Sequence, residues 1–139
     1  MTLYHATCIE IDSRGVLIEG PSGSGKSDLA LRLMGRGAKL VSDDYVELAS
    51  KGGHLTATAP EKIAGKMEVR GVGLVDVDYT NEVKIALLIE LTPRDAIPRL
   101  PDPRHKELGG VQVPHFALEA FDSSAVDKIF VILKNISGD

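Results

Sequence analysis

One cysteine, Cys8, stands among the 139 residues, so no internal disulfide can form and a disulfide-stapled scaffold is excluded. Cys8 lies in an alternating stretch and reads as a small core residue rather than a nucleophile. Long apolar runs are missing as well. The longest, residues 85–89 and 129–133, fall far short of the roughly 20 residues that a membrane-spanning helix needs. Met1-Thr2-Leu3-Tyr4-His5 carries no signal-peptide pattern, so the expected compartment is cytoplasmic. Positive charge is not in excess: 16 Lys and Arg face 20 Asp and Glu, for a net charge of −4. Clustered excess Lys and Arg is what general nucleic-acid or membrane-surface binders require, so neither partner is expected. No internal repeat or low-complexity tract is found. With 43% hydrophobic and 26% charged residues, the composition is that of a globular protein, and the length suits one domain, 1–139, with a sizeable core.

What the sequence does have is glycine, 14 of them, and three stand in Gly20-Pro21-Ser22-Gly23-Ser24-Gly25-Lys26-Ser27. This fits GxxxxGK[ST], the P-loop pattern. A glycine-rich turn aims backbone N–H groups at phosphate oxygens, Lys26 reaches the β- and γ-phosphates, and the Ser27 hydroxyl faces Mg²⁺. The plainer reading is a turn that only caps a helix. Context favours the phosphate site. Val16-Leu17-Ile18 is a buried-strand run, and Leu29, Ala30, Leu33 and Met34 recur at helical spacing before Gly35 and Gly37, so the loop lies between strand and helix. Asp28, in the helix's first turn, belongs with the loop as a nucleotide-binding residue.

Around it, residues 4–11 and the run ending at the loop predict a hairpin. Lys39-Leu40-Val41 predicts a short strand ending in Ser42-Asp43-Asp44, followed by strands over 45–49 and 55–59 about the Lys51-Gly52-Gly53 turn. Two glycines inside 67–75 predict a bend. Residues 83–91 form the most apolar strand, expected at the centre of the sheet. Five prolines between 92 and 114 predict a long loop, with Arg94, Arg99, Arg104 and Lys106 as a cationic face. Asp122 or Ser123 should cap a last helix whose apolar face is Val126, Ile129, Phe130, Leu133 and Ile136.

Phosphoryl transfer needs a second anionic group for the metal and a group to deprotonate the acceptor. Asp43 and Asp44 follow a strand one helix after the loop, where a right-handed crossover would set that strand beside the phosphate-loop strand. An ordinary acidic turn is the alternative.

Together, His5, GxSGxGKS at 20–27, Arg36-Gly37, LVxDD at 40–44, Ala59-Pro60 and ExRGxGxxDV at 68–77 resemble the catalytic domain of HPr kinase/phosphorylase. The resemblance runs from about residue 4 to 99. It implies an α/β fold with a P-loop and a mixed sheet, similar to phosphoenolpyruvate carboxykinase. It also implies use of ATP and Mg²⁺ to phosphorylate a serine of an HPr-type phosphocarrier protein of the phosphotransferase system, with reverse phosphorolysis in many members. Carried onto this sequence, Asp43 matches the general base and His5 the histidine close to it. Asp44 matches the second acid, near the metal; Ser27 and Glu68 match residues on or near Mg²⁺; Lys26 serves catalysis as well as binding; and Arg99 matches an arginine of the dephosphorylation reaction. On the residues alone, Glu68 and Arg70 could equally form an ion pair that holds the glycine-rich bend.

The sequence departs from longer members, which carry an N-terminal domain and assemble as hexamers; a homo-oligomer is compatible with the resemblance but not required by it. Glu119-Ala120-Phe121-Asp122 stands where longer members have a basic, glycine-containing segment, so the kinase direction is better supported than the phosphorylase one. A small-molecule kinase and a nucleotide-binding sensor are the rival readings.

Overall fold

A computed structural model describes residues 1–136. Its elements run β1 (Thr2–His5), β2 (Thr7–Ile11), β3 (Arg14–Glu19), α1 (Lys26–Met34), β4 (Lys39–Ser42), β5 (Tyr45–Lys51), β6 (His54–Thr58), β7 (Lys66–Val69), β8 (Gly73–Asp76), β9 (Val83–Leu91), β10 (His105–Leu108), β11 (Val111–Leu118) and α2 (Ala125–Ile136). Nine strands form one curled mixed sheet with the path β1-β5-β6-β9-β3-β2-β4, and β7 and β8 form a separate hairpin.

Strand β9 is the axis of the sheet. One flank runs parallel to β3 from Arg14↔Lys84 to Glu19↔Glu90. The other flank is shared: its first residues pair with β6 and its last four run parallel to β11. Alternation sorts the central side chains between two cores. Val16, Ile18, Leu87 and Ile89 join Leu29, Leu33, Ile129 and Leu133 of the two helices. Leu17 and Leu88 face the other way, into a cluster with Val46, Leu48, Leu55 and Val113 of the outer strands. Continuous apolar runs at 16–18 and 85–89 are therefore the mark of strands covered on both faces.

Local chemistry accounts for the joints. The β2–β3 hairpin has a two-residue turn, Asp12 and Ser13, at φ 49 and 67, the twist-compatible geometry for such a link. Helix α1 ends in a Schellman motif: Gly37 sits at φ 100, its N–H bonds Met34 C=O at 3.1 Å, and Ala38 N–H bonds Leu33 C=O at 3.1 Å. Helix α2 presents the expected apolar face but begins later than the expected cap, since Ser124 C=O accepts from Lys128 N–H and Ala125 N–H bonds Asp122 C=O.

Three expectations are corrected. The loop predicted over 92–114 is shorter, because residues 105–118 fold as the β10–β11 hairpin around Gly109-Gly110. Pro114 is tolerated there as the terminal partner of β10, one residue before pairing with β9 begins. Residues 67–75 contain a hairpin turn, not merely a bend. Finally, β4 is not next to β3: the short β2–β3 turn takes that edge first, and β4 pairs with β2.

Candidate active site

Strand β3 delivers the chain to the carboxyl edge of the sheet at Glu19, and residues 20–27 turn there into α1. The turn needs its glycines where φ is positive, Gly23 at 81° and Gly25 at 100°. A Cβ on Gly25 would also lie 2.9 Å from both Ala120 Cβ and Phe121 Cζ. Lys26, only 7% exposed, folds back so that Nζ donates to Gly20 O at 2.8 Å and Pro21 O at 3.3 Å. Ser24 Oγ is buried and has no partner among the described residues. An orphaned hydroxyl, a cation and the amide end of α1 make this loop fit an anionic group.

Although β2 separates them in the sheet, β4 brings Asp43 to the loop. Asp43 is 9% exposed and accepts three hydrogen bonds: Ser27 Oγ to Oδ1 at 2.8 Å, Thr7 Oγ1 to Oδ1 at 3.2 Å, and Glu68 N–H to Oδ2 at 3.3 Å. Asp44 is turned outward. Its Oδ1 lies 2.9 Å from His5 Nε2, which donates to it, and the His5 ring stacks on Tyr45 at 4.9 Å. The expectation had put His5 beside Asp43 and Asp44 nearer the metal. In the structure His5 bonds Asp44 and Ser27 bonds Asp43, the two acids being adjacent and both at the cavity.

These groups surround a cavity of about 420 Å³ lined by Ser22, Gly23, Gly25, Lys26, Ser27, Asp28, Leu31, Asp43, Asp44, Glu68, Val69, Arg70 and Phe121. Gly20, Pro21 and Ser24 shape the loop without lining that space. Glu68 and Arg70 make no ion pair with each other among the described residues; both open onto the cavity. Arg99 is not brought to the site, being exposed on the loop between β9 and β10. Ser27 Oγ and the carboxylates of Asp43, Asp44 and Glu68, all lining the cavity, are the groups able to hold a hard divalent cation.

Thr7, Leu31 and Phe121 were missed by the sequence reading. Thr7 is two residues from His5, a spacing that could have linked them in an extended chain. Phe121 had no periodic signal; it is held because Arg32 of α1 bonds the neighbouring Ala120 carbonyl. Cys8 is wholly buried, which pushes its thiol pKa up and agrees with a core role.

A family model for the HPr Serine kinase C-terminal domain matches residues 1–132. The chain belongs to that family. HPr kinase/phosphorylase of an Exiguobacterium species is 40% identical over 104 residues, covering 69% of this chain and 33% of the relative. The protein of the same name from Exiguobacterium sibiricum is 47% identical over 77 residues, 55% and 25% of the two chains. The chain thus spans a quarter to a third of the length of these curated relatives. A solved structure, the Hpr(Ser) kinase/phosphatase from Coxiella burnetii, superposes with a TM-score of 0.87 at 28% identity, over 97% of this chain and 95% of that one. The mixed α/β fold implied by the resemblance is borne out. No helix among the described residues is long and apolar enough to cross a membrane.

Proposed function

We propose that this domain is an ATP- and Mg²⁺-dependent serine kinase acting on an HPr-type phosphocarrier protein in the cytoplasm. The observation that carries this reading is the division of two adjacent acids at one cavity: Asp43 buried on Ser27, and Asp44 exposed on His5. Simple phosphate binding needs no such pair. The substrate is taken from the names of the relatives.

In the proposed reaction the β- and γ-phosphates lie on the 20–27 loop, with its amides and Lys26 offsetting negative charge as it redistributes. Lys26 exchanges its two carbonyl partners for phosphate oxygens. Ser27, Asp43 and Glu68 would hold Mg²⁺, which when bound neutralises phosphate charge and fixes its geometry. Asp44 takes the proton of the acceptor serine as its oxygen attacks phosphorus and the bond to ADP breaks. Asp44 has one side-chain partner, His5, whereas Asp43 accepts from Ser27, Thr7 and Glu68 N–H. The His5 N–H orients the Asp44 carboxylate. Reverse phosphorolysis would use the same acid as proton donor, but the exposed Arg99 lies outside the cavity, and the kinase direction is the one these residues support.

The test is incubation with γ-labelled ATP and an HPr protein, intact or with its acceptor serine changed to alanine. Label in HPr only when the serine is present supports the reading. Label appearing in a metabolite would shift the acceptor to a small hydroxylated molecule, and binding without turnover would make the protein a sensor.

A further inference from the structure

Phe121 lies in a turn over 119–122, closed by a hydrogen bond from Asp122 N–H to Glu119 C=O at 3.2 Å. Both of its neighbours are fixed. Ala120 is 1% exposed and its C=O accepts from Arg32 Nη2 of α1, while the Asp122 carboxylate is held by Lys128 Nζ at 2.9 Å. Phe121 itself is 62% exposed and lines the cavity. Its Cζ and Cε1 would lie 2.9 and 3.2 Å from a Cβ on Gly25, so the far rim of the ring meets the 20–27 loop and most of the residue stays open. A phenyl ring kept out of the core on a pinned turn forgoes the stabilisation of burial. One such side chain alone would call for no explanation. Leu31, however, is also partly exposed and lines the same cavity, and it follows Ser27 by one turn of α1, on the same helix face. Most other side chains of the lining are hydroxylic or charged, and Phe121 is its one aromatic ring among the described residues. The cavity thus joins a polar part suited to phosphate with an apolar part that offers a flat surface. Phosphate alone makes no use of the second part.

We infer that Phe121 is the platform on which the base of the nucleotide stacks, and that it favours purine over pyrimidine nucleotides. Stacking follows ring overlap, and two fused rings cover more of a phenyl face than one ring does. The turn holds the ring in place before the ligand arrives, so little side-chain freedom is lost on binding. The inference rests on the reading of this cavity as a nucleotide site.

The chain has no tryptophan, so Phe121→Trp introduces a single indole whose emission reports contact with a base. ATP should quench that emission, and inorganic tripolyphosphate, which carries the phosphates without a base, should not; equal responses overturn the inference. Calorimetric titration with ATP, CTP and tripolyphosphate, each with Mg²⁺, then compares the wild type with Phe121→Leu, which keeps apolar bulk, and Phe121→Tyr, which keeps the ring. The wild type should bind ATP about 10- to 100-fold more tightly than tripolyphosphate, with CTP between them. Phe121→Leu should lose most of that advantage while its affinity for tripolyphosphate is nearly unchanged, and Phe121→Tyr should retain it. Undiminished ATP affinity in Phe121→Leu would overturn the inference. Wild-type protein that binds tripolyphosphate as tightly as ATP would keep the phosphate site and overturn the platform, whereas wild-type protein that binds neither would overturn the nucleotide reading itself.

Discussion

Ser27 Oγ donates to Asp43 Oδ1 across 2.8 Å, so the hydroxyl that ends the 20–27 loop and the inner acid just after β4 form one unit. In the proposed function this pairing keeps Asp43 on the phosphate side of the cavity and leaves Asp44 for the acceptor.

Exchanging each acid for its amide should separate these duties. Asp44→Asn is expected to lower transfer to HPr by about 10²- to 10⁴-fold, the usual worth of a positioned proton acceptor, with nucleotide affinity nearly unchanged. Asp43→Asn should instead weaken binding of nucleotide in the presence of Mg²⁺ while affecting metal-free binding far less. Titrating each variant with nucleotide, with and without Mg²⁺, alongside single-turnover transfer reads both. The reverse pattern would return the base to Asp43.

Gly25 and Gly23 both have positive φ, but only Gly25 is crowded. A Cβ on Gly25 meets Ala120 and Phe121 at 2.9 Å, whereas one on Gly23 meets nothing within 4 Å. Gly25→Ala should therefore cost about 2–4 kcal/mol, combining backbone strain with overpacking. Gly23→Ala should cost about 1 kcal/mol, from strain alone. Urea unfolding of the two variants compares them, and equal losses would mean that Phe121 does not seat on the loop.

Much of this was legible in the sequence because it is local. The strand–loop–helix around residues 20–27 follows from a short apolar run, a glycine motif and helical spacing, all within about twenty residues. The β9 axis was legible from its unbroken apolar run, the pattern of a strand covered on both faces. What was hidden is non-local. Pro114 and the charges of 104–107 gave 105–118 the look of a loop, although pairing with β9 makes it a strand. Asp43 and Asp44 diverge at a positive φ on Asp44, whose N–H bonds Thr7, 37 residues away. No periodicity encodes which of two neighbouring acids faces inward.

Asp122 links the loop after β9 to the start of α2, with Lys128 Nζ at 2.9 Å and Arg94 Nη1 at 3.8 Å. The Lys128 hydrogen bond first, then the charges of Lys128 and Arg94, hold its carboxyl below the usual 3.8. A carboxyl lowered on folding adds stability that is present above its unfolded value and lost as pH falls through the folded one. Asp122→Asn should thus have a lower Tm than wild type at pH 7, and the gap should close as pH drops below about 4. Thermal melts at pH 7, 4 and 2 follow it; a gap that persists at pH 2 would mean a packing effect rather than charge.

The opposite sign is expected at alkaline pH from the network behind the 20–27 loop. Glu19 and Glu90 are register partners on parallel strands, and their like charges need compensation. His115 Nε2 lies 2.9 Å from Glu90, Lys106 Nζ lies 3.3 Å from Glu19, and Tyr4 Oη donates to Glu19. Burial, then the Glu19 carboxylate, push the Tyr4 phenol above its ordinary 10.0. Burial opposes the charge of Lys106, but Tyr4 and Glu19 together outweigh it and raise that group above 10.5. Both groups therefore bind their protons more tightly when folded, so their stabilisation is complete below about pH 10 and is lost as pH rises through the folded values. Urea unfolding between pH 7 and 11.5 should show wild-type stability falling above pH 10. Lys106→Met should start lower, because Glu19 then faces Glu90 without its cation, and should decline less steeply. Parallel declines in the two proteins would place the alkaline transition elsewhere. A further loss of nucleotide affinity in Lys106→Met would show that the register of Glu19, the last residue of β3, is transmitted to Gly20 and the loop it begins.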